Sequence, residues 1–124
     1  MIDFENGSVF KLKQVKNDTF DKQIVPLMVK GEMVISVYQT VRDGIVFTNK
    51  RIIVINVQGM TGKKKSFTSL PYRKVQVFAI ETSGVFDMDS ELELYFSGLG
   101  KVKFELTGGS NVSEICRVIG EYVL

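Results

Sequence analysis

Histidine and tryptophan are absent from the 124 residues, cysteine occurs once, as Cys116, and proline occurs twice. Without histidine the chain lacks the usual general base, the commonest metal ligand and the side chain that changes charge near neutral pH. Catalysis is therefore not expected, nor is a bound cofactor, and a metal site would need carboxylates alone. A single thiol cannot close an internal disulfide, so the expected setting is reducing and cytoplasmic. No apolar run approaches the ~20 residues that cross a bilayer, so no transmembrane segment is expected. Met1-Ile2-Asp3-Phe4-Glu5 lacks the basic and then apolar build of a secretory signal.

What is present reads as a small, strand-rich protein. Apolar residues make up 44% and charged residues 24%, ordinary values for one globular domain. A chain of this size buries roughly 65% of its unfolded surface, enough for a core without covalent staples. The most informative stretch is Val46-Phe47-Thr48-Asn49-Lys50-Arg51-Ile52-Ile53-Val54-Ile55-Asn56-Val57-Gln58. Two apolar runs meet at Asn49-Lys50, which reads as a two-residue hairpin turn because Asn tolerates positive φ. On the second run Ile53, Ile55 and Val57 point to one side, and Ile52 and Val54 to the other.

The rest of the chain extends this meander. Strands are expected over residues 33–42, 45–48, 51–58, 63–70, 73–82, 91–96 and 101–106, seven in all. Arg42-Asp43-Gly44 makes a tight turn, and Pro71 ends a polar strand as befits a sheet edge. Residues 73–82 carry apolar side chains on both parities, so both faces of that strand are expected to be covered. Leu92, Leu94 and Phe96 face inward beside Val102, Phe104 and Leu106.

Both ends of the chain carry helical signals. Phe10 and Leu12 alternate with Lys11 and Lys13, which predicts a short exposed strand. Asp18 or Thr19 offers a cap for a helix carrying Phe20, Ile24, Leu27 and Met28, kinked or delayed by Pro26 and closed by Gly31. At the other end Asn111 and Glu114 form a capping box. Val112, Ile115, Cys116, Ile119, Tyr122 and Val123 then make one apolar stripe. On that stripe Cys116 reads as a small core residue. The expected architecture is mainly β: a seven-stranded antiparallel sandwich or partly open barrel capped by the C-terminal helix. Residues 1–30 form an N-terminal strand and helix extension packed on a domain at 31–124.

Four blocks in order carry a family resemblance. They are Asp43 with residues 46–53, then Gln58-Gly59-Met60-Thr61-Gly62-Lys63-Lys64, Leu70-Pro71-Tyr72, and residues 81–89 with Glu91-Leu92. Together, over about residues 30–123, they resemble the bacterial pleckstrin-homology (PH) domain family. The resemblance implies a PH-like barrel closed by the C-terminal helix. It also implies a stand-alone protein that assembles into homo-oligomeric rings, with no established enzymatic activity and no defined ligand. Phosphoinositide binding is not expected. The relevant connection, Arg42-Asp43-Gly44, is too short to wrap a headgroup and carries an acid.

Charge is sorted along the chain. Residues 44–80 contain Lys50, Arg51, Lys63, Lys64, Lys65, Arg73 and Lys74 and no acid; residues 75–100 contain Glu81, Asp87, Asp89, Glu91 and Glu93 and no base. One reading is two solvated faces. Another is a self-complementary surface that favours head-to-tail contact, closing into a ring when the rotation permits. Phe86, between Gly84 and Asp87, is the candidate aromatic anchor of such a contact. The partner is then another copy, or another protein. The alternative is an anionic-ligand module, for a lipid surface or nucleic acid, using the 50–74 basic stretch; Phe67 and Tyr72 are its only nearby aromatics. A third reading puts Ca²⁺ at Asp87, Asp89 and Glu91, although the glycine of a twelve-residue calcium loop is missing and a plain acidic turn explains the spacing.

Overall fold

The computed structural model describes residues 9–82, 89–107 and 112–124. Eight strands form one continuous sheet: β1 (Val9–Val15), β2 (Val34–Gln39), β3 (Gly44–Thr48), β4 (Arg51–Gln58), β5 (Lys64–Pro71), β6 (Val75–Thr82), β7 (Ser90–Phe96) and β8 (Gly100–Thr107). Their order across the sheet is β5-β4-β3-β2-β1-β8-β7-β6. Each pair is antiparallel except β1 with β8. The sheet curls without closing, because its edges β5 and β6 do not pair, and helix α2 (Val112–Val123) packs against β6, β2 and the 3-10 turn at Tyr72–Lys74. No helix among the described residues is long and apolar enough to cross a membrane.

The two parities of β4 serve two cores. Ile52 and Val54 join Leu12, Phe47, Leu92, Phe104 and the buried α2 residues Val112, Ile115 and Ile119 inside the curl. Phe47 stands edge-on to Tyr38 at 5.7 Å and to Phe104 at 6.2 Å, so one ring ties the two halves together. Ile53 and Ile55 face outward with Val37 and Val46, and the short helix α1 (Asp21–Ile24) covers them with Phe20 and Ile24. The Phe20 ring lies directly on the backbone of Gly44, where a Cβ would come within 2.5 Å of the ring.

Several expectations meet different outcomes. Strand β1 is not an exposed strand: it lies mid-sheet, hydrogen-bonded on both sides, and Leu12 is fully buried. Residues 9–15 thus link the sheet's two halves. Neither Asp18 nor Thr19 caps α1, whose N-cap position is Phe20; Pro26 ends the helix after four residues by turning it into a 3-10 turn, Val25–Leu27. The outer face of β6 is open: Val75, Phe78 and Ile80 pack into the core, while Val77 is 55% exposed. Tyr122 leaves the apolar stripe and stands 42% exposed. Cys116 is half-buried against the core, and burial pushes its thiol pKa up. The capping box at Asn111 lies outside the described residues.

Because Ile119 is fully buried in the seal between α2 and the sheet, Ile119→Ala should cost about 2 to 5 kcal/mol by leaving a cavity. Chemical denaturation of the two proteins checks this, and an unchanged midpoint would contradict the packing.

Candidate functional site

The hairpin joining β3 to β4 is built by side chains. Among the described residues none other than glycine takes positive φ, so Asn49 is not in the turn for its tolerance of that region. Its side chain instead laces the hairpin to the preceding loop: Oδ1 accepts from the Met33 N–H at 2.8 Å, and Nδ2 donates to the Gly31 carbonyl at 3.0 Å. The Thr48 hydroxyl accepts from the N–H groups of Lys50 and Arg51, each at 3.1 Å. It donates to Glu32 Oε2 at 2.7 Å. Tyr72, fully buried, donates its hydroxyl to the Thr48 carbonyl at 2.7 Å, and its pKa is raised by that burial.

Beside the hairpin Arg51 grips Glu32 through two parallel hydrogen bonds, Nε to Oε2 and Nη2 to Oε1, both 2.9 Å. The same guanidinium donates to the Leu27 carbonyl at 2.7 Å and to Ser69 Oγ at 2.8 Å. The Glu32 side chain is fully buried. Burial opposes its ionisation, but the hydrogen bonds from Arg51, Thr48 and the Val29 N–H outweigh that and hold its pKa below the ordinary 4.5. With its donors committed, Arg51 is a structural clamp.

Over this clamp lies a cleft of about 300 Å³. Lys50 and Arg73 supply its cations, while Val29, Pro71 and Tyr122 supply apolar walls, with Glu32 and Arg51 beneath. The Tyr122 ring rests on Tyr72 at 6.1 Å, tilted by 44°. Sequence reasoning named Lys50, Arg51 and Arg73 but missed Glu32 and Tyr122. Glu32 lies 19 residues from Arg51 in the sequence, so nothing local marks the pairing, and Tyr122 fits the helical stripe by period.

The other candidate bases lie elsewhere. Lys65 pairs with Val57 and Lys64 with Gln58, at the far end of β5 from Pro71. Six residues of strand put Lys65 roughly 20 Å from the cleft end of β5. Lys63 and Lys74 are exposed outside the strands. The basic stretch is thus two clusters, not one patch.

Among the acids, Phe86 and Asp87 lie outside the described residues. Asp89, Glu81, Glu91 and Glu105 line a second cleft of about 220 Å³, with Glu81, Glu91 and Glu105 opposed across three neighbouring strands. Lys103 from β8 lies 3.3 Å from Glu93 and 3.6 Å from Glu91, so the acidic run is partly neutralised across the sheet. A hydrogen bond from Tyr95, then the one from Lys103, lowers the Glu93 pKa. Among the described residues no three Asp, Glu or Cys side chains converge as a metal site.

The clamp has a pH signature. A carboxyl whose folded pKa is depressed stabilises the fold above its unfolded value of 4.5 and loses that contribution as pH falls through the folded value. Stability should decline below about pH 4.5 in part through Glu32. Glu32→Ala, which leaves Arg51 without its partner, should cost about 3 to 5 kcal/mol at pH 7. It should also flatten the acid limb of a stability-against-pH curve measured by urea titration.

Comparison with known proteins agrees with this architecture. The family model described as "Bacterial PH domain" matches residues 3–123. Two uncharacterised proteins of Bacillus subtilis (strain 168) are similar: YjqA, 39% identical over 95 residues (77% of this chain, 76% of the relative), and YozO, 35% identical over 109 residues (88% and 94%). Among solved structures, a protein with a pleckstrin-homology domain from Shewanella loihica PV-4 is 40% identical with a TM-score of 0.72, covering 92% of this chain and 98% of its own. A pleckstrin-homology domain from Shewanella amazonensis SB2B is 40% identical with a TM-score of 0.59, covering 89% and 90%. A PH-domain protein from Exiguobacterium sibiricum 255-15, 18% identical with a TM-score of 0.65 over 92% and 62%, shares the fold. With nearly the whole chain matched and relatives near 40% identity, the protein belongs to the bacterial PH domain family.

Proposed function

We propose that this protein is a non-enzymatic, cytoplasmic binding and scaffold module that works as a homo-oligomer, a ring closed by contact between unlike sheet edges. The observation that carries the reading is the pair of open edges. Neither β5 nor β6 has an outer strand partner among the described residues, and each bears an exposed apolar side chain, Phe67 and Val77. An antiparallel contact between β5 of one copy and β6 of the next, with Phe67 opposite Ala79, sets Lys65 opposite Glu81 on the outer face. Such a contact is heterologous and propagates around a ring. Exposed ion pairs contribute only ~0 to 1 kcal/mol each, so charge sets the register while strand pairing and apolar cover supply the affinity. Phe86, beside the acidic run in the sequence, is a further anchor.

Light scattering and sedimentation test this. The wild-type chain should exceed monomer mass at micromolar concentration and moderate salt, Glu81→Lys or Lys65→Glu should lower that mass, and the two combined should restore it. Phe86→Ala should shift the assembly toward monomer more than Lys64→Ala. A wild-type monomer under these conditions would sink the ring.

The alternative, an anionic-ligand module, is favoured by one observation: Lys50 and Arg73 line the same cleft. Phosphoinositides are not its ligands. Arg42, in the turn between β2 and β3, donates to the Gly59 carbonyl, and Asp43 accepts from the Val57 N–H at 2.8 Å. Vesicle sedimentation should therefore show no headgroup selectivity at physiological salt; selective micromolar binding would contradict this.

A further inference from the structure

We propose that the cleft between Lys50, Arg73 and Tyr122 docks an acidic peptide segment of a partner protein, a carboxylate flanked by a large apolar side chain. This rests on the anionic-ligand reading and is independent of the ring.

The cations come first. Arg51 spends its donors on Glu32, Leu27 and Ser69, and the Glu32 charge is balanced by that grip. Lys50 and Arg73 have no ion pair among the described residues, so the net charge offered to a ligand is theirs. Arg73 can take a carboxylate through two parallel hydrogen bonds, and Lys50 adds a point charge.

The apolar wall decides the rest of the ligand. Val29 is 56% exposed and Tyr122 42% exposed, and with Pro71 they wall the cleft. A bare anion would leave that surface in water, whereas a side chain next to the acid covers it. Tyr122 can pack a flat or branched group, because Tyr72 supports its ring from behind.

Tyr122 is the one α2 side chain that lines the cleft, and it brings apolar ring surface rather than charge. Charge complementarity with an apolar neighbour therefore selects an Asp or Glu beside a bulky residue.

Isothermal titration calorimetry with three probes tests this: the capped tripeptide Phe-Asp-Phe, its uncharged analogue Phe-Asn-Phe, and inorganic phosphate. The acidic peptide should bind at least tenfold more tightly than either other probe. Lys50→Ala and Arg73→Ala should each weaken it severalfold, and Lys64→Ala, at the far end of β5, should not. Circular dichroism verifies that the variants are folded, and the comparison of probes on the wild-type chain stands without them. Phosphate binding as tightly as the acidic peptide, with the same two substitutions weakening it, would overturn the peptide assignment and keep the anionic reading. Equal binding of the two peptides, or equal loss with Lys64→Ala, would overturn the proposal. No saturable heat from any probe would overturn both.

Discussion

Strand β1 is the backbone link between the two halves of the molecule. On one side it hydrogen-bonds β2, and through it β3 to β5; on the other it runs parallel to β8, and through it β7 and β6. Without β1 the halves would meet only through side chains across the curl, with two more raw sheet edges facing water. Its position also makes Phe47 effective. The ring contacts Tyr38 from its own half and Phe104 from the other, a contact that needs the halves held at a fixed curl.

Given that link, β3 and β4 become buried on both faces, which explains why residues 45–47 and 52–55 are apolar without a break. A doubly covered hairpin cannot leave its end groups to chance. The Thr48 hydroxyl, the Asn49 amide, the Tyr72 hydroxyl and the Arg51–Glu32 pair satisfy them in turn. Arg51 is therefore a base in the sequence but not an available charge on the surface.

Much of this was legible in the sequence, and the failures share a cause. The seven strands of 33–106, the N-terminal strand, the split parities of β4 and the C-terminal helix follow from period and turn residues, which act locally. Asn49-Lys50 is a turn, as its residue types suggest, but what holds it is a tie to Gly31 and Met33 that only the fold brings near. The depth of β1 was hidden in the same way. Its pairing with β8 spans most of the chain, and one buried leucine does not announce it. Tyr122 has the right period to be buried, yet its ring lies against Tyr72 at the cleft and stays 42% exposed. At the candidate site, Lys50 and Arg73 were legible as bases; their separation from Lys63–Lys65 was not, since a linear run does not reveal the span of β5 lying between them.

The two proposed contacts can coexist on one subunit, and Pro71 is the reason. It closes β5 and lines the cleft, and it has no N–H to offer an added strand. Pairing along the β5 edge must therefore stop short of it and draw on Lys64 to Leu70, with Phe67 near its middle. Lys50 and Arg73 stand beyond that stop. A neighbour pairing along that edge would cover Phe67 and Lys65, while the cleft at the other end of the strand stays open to a different chain. An assembly built this way would present one peptide-docking cleft per subunit, so that weak individual contacts gain strength by repetition around the ring.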